Sequence, residues 1–397
     1  MAVRGAVWYR DGLIVAKTTK QQKRTARRPA APQVEAKSSL EQLRARIDEL
    51  DGRVLELLGE RYRVIEEVQR VKQRSGDGVY VPERERAQLA RLARLNQASA
   101  AQLRPEALRA IFGEILSASR ALQGSLAVAY LGPAGTYSEK AAREQFGSST
   151  TLVPAPSIAD VFRAVERGEA HYGIVPIENS TEGMVGPTLD TFVTSPLQIV
   201  AERDLDVRHA LLSRGTSLKQ VRRVVSHAQS LGQCREWLRQ NLPGVPTVDV
   251  PSNALAAQTA ARGSSTAAIA SAEAAERYGL NVLAANIQDL PHNVTRFVVI
   301  GRPNGPVAQD ADKVSVLFSV KNRAGMLFKS LKPLSERGVD LCKIESRPMR
   351  GRSWEYLFFL DFRGRLDERR VADAMAEMAR QCVWIKVLGA YPAARAA

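Results

Sequence analysis

The sequence predicts a multidomain α + α/β + α+β chain: an all-helical N-terminal domain, an α/β middle and a small α+β C-terminal domain. Three observations predict it. Apolar residues recur every three to four positions from Leu43 to Val68, and again after Pro82 and Pro105. After Gly124 short apolar runs of strand length alternate with helical patterns. The last block, 311–393, reads strand–helix–strand–strand–helix–strand, a small ferredoxin-like sandwich. At 397 residues the chain exceeds one ordinary core.

Composition narrows the class. Apolar content of 45% with 25% charged residues is that of a soluble globular protein. No apolar run is long enough to span a bilayer. Cys234, Cys342 and Cys382 are scattered, with neither a disulfide framework nor metal-ligand spacing, which fits a reducing cytoplasm. The net charge of +15 first suggests nucleic acid. Much of it sits in residues 1–37, where nine Lys and Arg face only Asp11 and Glu35. That stretch reads as a basic, disordered tail, and no apolar segment makes it a signal peptide. The remaining excess would favour anionic substrates.

The first helix is expected from Ser38 or Ser39 to about Arg74, with Leu43, Ile47, Leu50, Val54, Leu57, Val64 and Val68 on one stripe. Ser75, Gly76, Asp77 and Gly78 end it. The second carries Leu89, Leu92 and Leu95; the third carries Leu108, Ile111, Phe112, Ile115 and Leu122. One long and two shorter helices cannot bury their faces alone, so a homodimer or higher oligomer is expected. Strands are expected at 126–131, 172–176, 197–200, 221–225, 266–270 and 297–300, with helices such as 158–167 and 254–262 between them. Residues 301–306 read as a linker. In the last block the strands are 314–320, 340–347, 355–362 and 383–391, and the helices 326–337 and 368–381.

Charges occupy positions where a helical core should be. Arg61 lies four residues after Leu57 and three before Val64; Lys72 lies four after Val68. A charge turned into a bundle needs a partner or a bound anion. By residues alone, a glutamate-paired structural network with snorkelling stems is an equal reading. Ser119 and Gln123 fall at or beside the inner face of the third helix, Arg44 flanks the start of the first, and Arg84 and Glu85 open the second. Residues 40–123 resemble the all-helical class of chorismate mutase, through Leu43-Arg44, Ile47-Asp48, Leu50-Asp51, Arg61, Val71-Lys72, Pro82-Glu83-Arg84-Glu85 and Ser119 with Gln123. The resemblance implies that Arg44 (from a partner subunit) and Arg61 clamp the carboxylates of chorismate. Lys72 and Gln123 would donate to its ether oxygen, Glu85 would hold its hydroxyl, and Arg84 and Ser119 would line the pocket. Such a rearrangement needs only a held conformer and stabilised charge on the ether oxygen. Val81 stands where many members of that class carry Asp.

The middle domain resembles prephenate dehydratase in four segments: Tyr130–Ser138, Val175–Gly183, Ser226-His227 with Gln233-Cys234, and Asn293–Phe297. The first is a strand entering a Gly-rich turn before a helix, a local geometry that offers N–H groups and hydroxyls to an anion. The resemblance implies two lobes, like a periplasmic binding protein, about 126–205 with 285–303 and 206–284, around a cleft. It implies that Thr295 assists loss of the ring hydroxyl. Thr136, Asn179, Ser180, Thr181, Ser226 and Gln233 are candidate polar contacts, and Glu178 and Glu273 resemble acids near the family's site. Arg296 is a candidate for binding a carboxylate or for orienting its loop. A hydroxyl is a poor acid without a hydrogen-bonded neighbour. Ser226 beside His227 makes no triad, because adjacent residues seldom face each other and no G-x-S-x-G surrounds them.

Residues 311–393 resemble an ACT regulatory domain through Gly325-Met326-Leu327-Phe328 and Glu345-Ser346-Arg347-Pro348. That implies a phenylalanine site in which Gly325, Met326, Leu327, Glu345, Ser346, Arg347 and Pro348 take part, with a helix N-terminus near the amino acid's carboxylate. Together the resemblances imply two enzymes of phenylalanine biosynthesis, chorismate and prephenate as substrates, phenylalanine as effector, and no metal, cofactor, nucleic acid or membrane partner. Two alternatives stand beside them: a ligand-responsive transcription factor, and a dehydratase with an inert helical domain. Against the first, the long helix lacks the short turn of a helix-turn-helix.

Overall fold

The structure, a computed structural model, describes residues 39–75, 80, 82–100, 102–303, 310–348 and 356–394. The expected basic tail and Val81 lie outside the described residues. The chain divides into a unit ending at Gly59 and a second from Glu60 to Ala397.

Ser39 begins the first helix with a reciprocal cap. Its Oγ accepts from the Gln42 N–H at 3.2 Å, while Gln42 Oε1 accepts from the Ser39 N–H at 2.9 Å. Helix α1 runs Leu40–Ser75, α2 Pro82–Ala98 and α3 Pro105–Gln123. Prolines open α2 and α3, where a missing N–H costs nothing. In the first unit Leu43, Ile47, Leu50, Val54 and Leu57 are all exposed; in the second, Val64 and Val71 are.

The middle of the chain builds two sheets. Its elements are β1 (Ala127–Leu131), α4 (Tyr137–Phe146), β2 (Thr151–Ala155), α5 (Ile158–Arg167), β3 (Tyr172–Asn179), β4 (Gly183–Met184), α6 (Gly186–Thr194) and β5 (Gln198–Asp206). The second sheet follows with β6 (Ala210–Ser213), β7 (Arg223–Ser226), α7 (Ala228–Gln233), α8 (Arg235–Asn241), β8 (Thr247–Asp249), α9 (Asn253–Ala260), β9 (Thr266–Ala270), α10 (Glu273–Tyr278) and β10 (Asn281–Ala285). Strand β11 (Val294–Gly301) then returns to the first sheet. The orders are β2-β1-β3-β11-β5, with β4 on β3, and β10-β6-β9-β7-β8. The sequence reading missed β2, β4, β6, β8 and β10. Strand β2 carries Pro154, tolerated because the strand is at the sheet edge. The other four have no more than five residues each, too few for a periodicity.

The last block is β12 (Lys313–Ser319), α11 (Met326–Glu336), β13 (Leu341–Pro348), β14 (Tyr356–Arg363), α12 (Arg369–Gln381) and β15 (Trp384–Tyr391). Its antiparallel order β13-β14-β12-β15 is the ferredoxin-like arrangement that the pattern predicted. One face packs Val314, Val316 and Phe318 with Leu334, Val371 and Met378 of the helices. The other packs Leu317, Phe359, Leu388 and Tyr391 into one core with Val175, Ile199, Val298 and Ile300 of the first sheet. Coverage on both faces explains why β12 is buried from Val314 to Ser319 rather than on alternate residues. The strands approach closely there: a Cβ added at Gly389 of β15 would collide with the Ile199 carbonyl oxygen of β5. Among the described residues no helix is long and apolar enough to cross a membrane.

Candidate functional site

Two clusters of polar side chains stand out. In the helical part, the Arg61 guanidinium on α1 donates to Ser119 Oγ on α3. Burial works against the Arg61 charge and lowers its pKa, with Tyr62 opposing. Two turns on along α1, Gln69 Nε2 donates to the Gln123 carbonyl at 3.2 Å, and Gln123 Nε2 donates to the Ser119 carbonyl at 3.2 Å. The Gln123 amide oxygen is buried without a partner. An unsatisfied buried acceptor is costly, so this amide gains by turning onto a ligand. Lys72 is half-buried on α1, and Arg84 is exposed. Arg44 is exposed in the unit that ends at Gly59.

Glu85 is bound by a residue that sequence reading passed over. Both its oxygens lie 2.5 Å from Nη1 of buried Arg120. Arg120 also donates to the Phe146 carbonyl at the end of α4 and lies over the Tyr80 ring, 5.4 Å from its centroid. The signal was available: Arg120 follows buried Leu116 by four residues, the same spacing that drew attention to Arg61.

The second cluster joins the two sheets of the middle domain. Asn179, the last residue of β3, donates from Nδ2 to Thr295 Oγ1 and to Asn293 Oδ1, both at 2.8 Å. Its Oδ1 accepts from the Thr181 N–H at 3.0 Å and Oγ1 at 2.6 Å. From the other sheet's side, Gln233 Nε2 donates to Thr181 Oγ1 at 3.0 Å, and Gln233 Oε1 accepts from Asn293 Nδ2 at 2.9 Å. His209 Nε2 donates to the same Oε1 at 2.9 Å, and Tyr137 Oη lies 3.0 Å from His209 Nδ1. Burial lowers the His209 pKa, against the Gln233 hydrogen bond, which keeps the ring neutral near pH 7. Ser180 Oγ accepts from the Val294 N–H at 2.9 Å. The result is a chain of amides and hydroxyls ending on Thr295. That hydroxyl accepts from Asn179, and its own hydrogen has no partner among the described residues. It is therefore free to donate.

Several expected contacts lie elsewhere. Ser226 is wholly buried, its one hydroxyl hydrogen shared between the Ile269 carbonyl at 2.8 Å and Asn253 Oδ1 at 2.9 Å, so it cements β7 to its neighbours. The Gly-rich turn is closed on itself. Gly135 gives its N–H to Glu139, while Thr136 donates to the Leu131 carbonyl and caps α4. Arg143 and Arg277 also hold Glu139; although burial alone would raise its pKa, these bonds lower it. Glu273 pairs with Lys140 across the two sheets' helices. Glu178 precedes Asn179 on a strand and so faces the other way, onto Lys343 of β13. Arg296 likewise turns from Thr295 into the C-terminal domain, meeting Glu202 at 2.7 Å, Asp361 at 2.6 Å and Tyr391 Oη at 2.9 Å. Arg347 reaches the Gly186 carbonyl at 2.6 Å and Asp190 at 3.2 Å on α6. Glu345 is half-buried and Ser346 and Pro348 exposed on β13. Gly325, at φ +77°, turns the chain into α11, where Met326 and Leu327 are half-buried and Phe328 is exposed. Among the described residues no group of His, Cys, Asp and Glu could hold a metal ion.

A bundle with a buried arginine and amide, a two-sheet amide–hydroxyl site and a ferredoxin-like module together define a multidomain enzyme with two separate polar sites. The chorismate mutase type II family model matches residues 43–124, and the prephenate dehydratase model matches residues 128–305. A bifunctional chorismate mutase/prephenate dehydratase from Aquifex aeolicus is 42% identical, over 89% of this chain and 98% of that one. A solved prephenate dehydratase from Arthrobacter aurescens, in complex with L-Phe, is 35% identical with TM-score 0.63, over 68% of this chain and 90% of that one. A structure described as a quorum-quenching acylase, GqqA, is 30% identical with TM-score 0.62, over 68% and 98%. The chain belongs to the bifunctional chorismate mutase/prephenate dehydratase family, and it is both a mutase and a dehydratase.

Proposed function

We propose that the helical domain rearranges chorismate to prephenate, and that the two-sheet domain converts prephenate to phenylpyruvate, CO2 and water. The observation that carries the second assignment is Thr295, with a hydrogen free to donate and Asn179 bonded to its oxygen. As the carboxylate leaves as CO2, its bonding electrons enter the ring and expel the 4-hydroxyl, which takes up a proton to leave as water. Thr295 donates to that oxygen, the Asn179 N–H steadies the threonine oxygen as its proton shifts, and the threonine takes a proton back from solvent, so that one solvent proton is consumed per turnover. Thr181, Gln233 and Asn293 hold Asn179 from both sheets, which favours a site that works only when the sheets are closed together.

In the helical domain, Arg61 and a partner subunit's copy of Arg44 hold the two carboxylates of chorismate. Lys72 and Gln123 face its ether oxygen, Glu85 its hydroxyl, and Arg84 and Ser119 line the pocket. A second copy of this chain covers the exposed stripe of α1, since each apolar side chain removed from water contributes about 1.5–3 kcal/mol. The adjacent pair Ser226-His227 gives no support to a serine–histidine acyl-transfer reading: Ser226 is buried, and His227 caps α7 through Nδ1.

The C-terminal domain acts as an ACT module that senses phenylalanine, with Gly325, Met326 and Leu327 on one side of the ligand and the Glu345–Pro348 strand on the other. Titration of the full chain with L-phenylalanine is the test. Saturable binding with a falling rate of prephenate consumption is expected. No binding by calorimetry and an unchanged rate would remove the sensing role and leave the two activities standing.

A further inference from the structure

Between the first sheet and the C-terminal domain lies a buried ionic cluster that the chemistry above does not use. Two cations, Arg296 and Lys313, meet two anions, Glu202 and Asp361. Arg296 binds Glu202 through Nε and Asp361 through Nη1; Lys313 Nζ lies 2.9 Å from Glu202 and 3.8 Å from Asp361. Ser315 donates to the other Asp361 oxygen, and Tyr391 Oη, which accepts from Arg296, lies 2.6 Å from Ser315 Oγ. Asp361, Ser315 and Tyr391 are wholly buried. Burial opposes the Arg296 charge, yet Tyr391, Asp361 and Glu202 outweigh it and raise the guanidinium's pKa.

The position matters more than the pairing. Arg296 is the next residue after Thr295 on β11, the strand between β3 and β5. Successive side chains on a strand point to opposite faces, so Thr295 faces Asn179 while Arg296 anchors the same stretch from behind. The pairing of β11 with β3 shifts register between Arg296 and Phe297, and such a bulge re-aims the residues beside it. Two of the three groups that hold Arg296 most closely, Asp361 and Tyr391, belong to the C-terminal domain. Glu178, the neighbour of Asn179, is held by Lys343 of that domain in the same way.

We propose that Arg296 and Asp361 are positioning residues for the dehydratase step: the C-terminal domain, through Asp361, fixes the strand that presents Thr295. The proposal rests on Thr295 being the dehydratase group. A bonding fork that sets a hydroxyl from behind acts on the rate of the step more than on substrate binding. Displacement of a catalytic group by about 1 Å costs on the order of a hundredfold.

The test uses the full chain and two variants, with Thr295→Ala as reference. Asp361→Asn keeps the shape but takes away one anion. The double variant Arg296→Met with Asp361→Leu removes one cation and one anion, leaving Lys313 paired with Glu202; apolar replacement of a buried ion pair is often neutral or stabilising. Chorismate turnover on the same preparation reports whether the chain is folded. In both variants kcat for prephenate is expected to fall about tenfold to a hundredfold with KM within about threefold, while chorismate turnover holds. Wild-type kcat in the double variant would overturn the proposal, because the pair would then serve packing alone; so would wild-type kcat in Asp361→Asn while Thr295→Ala is inactive. Full activity in Thr295→Ala would instead overturn the assignment of Thr295.

Discussion

Replacing Thr295 with alanine is expected to lower prephenate turnover by roughly a hundredfold to ten-thousandfold, the range for loss of a positioned proton donor. The fold has little at stake. The change removes one acceptor of Asn179 Nδ2, which keeps Asn293 as a partner, and one such hydrogen bond is worth about 1 kcal/mol. Chorismate should be consumed at the wild-type rate, with prephenate accumulating in place of phenylpyruvate. Steady-state assays on the two substrates check this. Parallel loss of both rates would point to unfolding and not to chemistry.

Lys72→Ala should give the mirror image. In a rearrangement with no nucleophile and no proton transfer, catalysis comes from holding the folded conformer and stabilising the charge that grows on the ether oxygen. In the proposed site the Lys72 cation of α1 supplies that stabilisation directly. Removing one preorganised donor of this kind costs about a hundredfold to a thousandfold in kcat. Dehydration of added prephenate should be unchanged, because Lys72 belongs to the helical domain and the Thr295 cluster draws on the two sheets. A mutase rate within a few fold of wild type would remove Lys72 from the ether oxygen and leave the Gln123 Nε2 group as the remaining candidate donor.

Much of the fold was legible because its elements are periodic. The stripe from Leu43 to Val68 became α1, and the ferredoxin-like order followed from four apolar runs and two amphipathic helices. The short strands were not legible: β6 has four residues and β8 three, too few to set a period. For the site, segment likeness brought forward both members of a strand dipeptide where only one can face a given side. Glu178 and Asn179, and Thr295 and Arg296, are such pairs. Strand alternation sorts them only once the strands' true lengths are known: the expected strands, 172–176 and 297–300, stopped short of both dipeptides, whereas β3 runs to Asn179 and β11 starts at Val294. Ser226 ends an apolar strand run, Val224-Val225, a context that argues for burial, and it is buried. His209, Asn293 and Tyr137 carried no readable signal as a group. They meet only when the two sheets come together, Tyr137 and His209 being 72 positions apart in the sequence.

The partition of chemistry between domains has a physical corollary. The middle domain is not self-contained: its strand β11 is bonded on one face to Asn179 and on the other to the C-terminal domain. The helical domain is joined to it through Arg120, which holds Glu85 and the Phe146 carbonyl together. Both polar sites thus border a contact that other parts of the chain provide.

The most direct measurement of the central claim is made on the purified wild-type chain, fed chorismate alone and, in a second vessel, prephenate alone, with phenylpyruvate as the readout. Phenylpyruvate from both is predicted, with prephenate as the intermediate in the first vessel. Phenylpyruvate from prephenate only would contradict the mutase half of the account; none from either, in folded protein, would contradict the dehydratase half, and chorismate left unconsumed as well would contradict both.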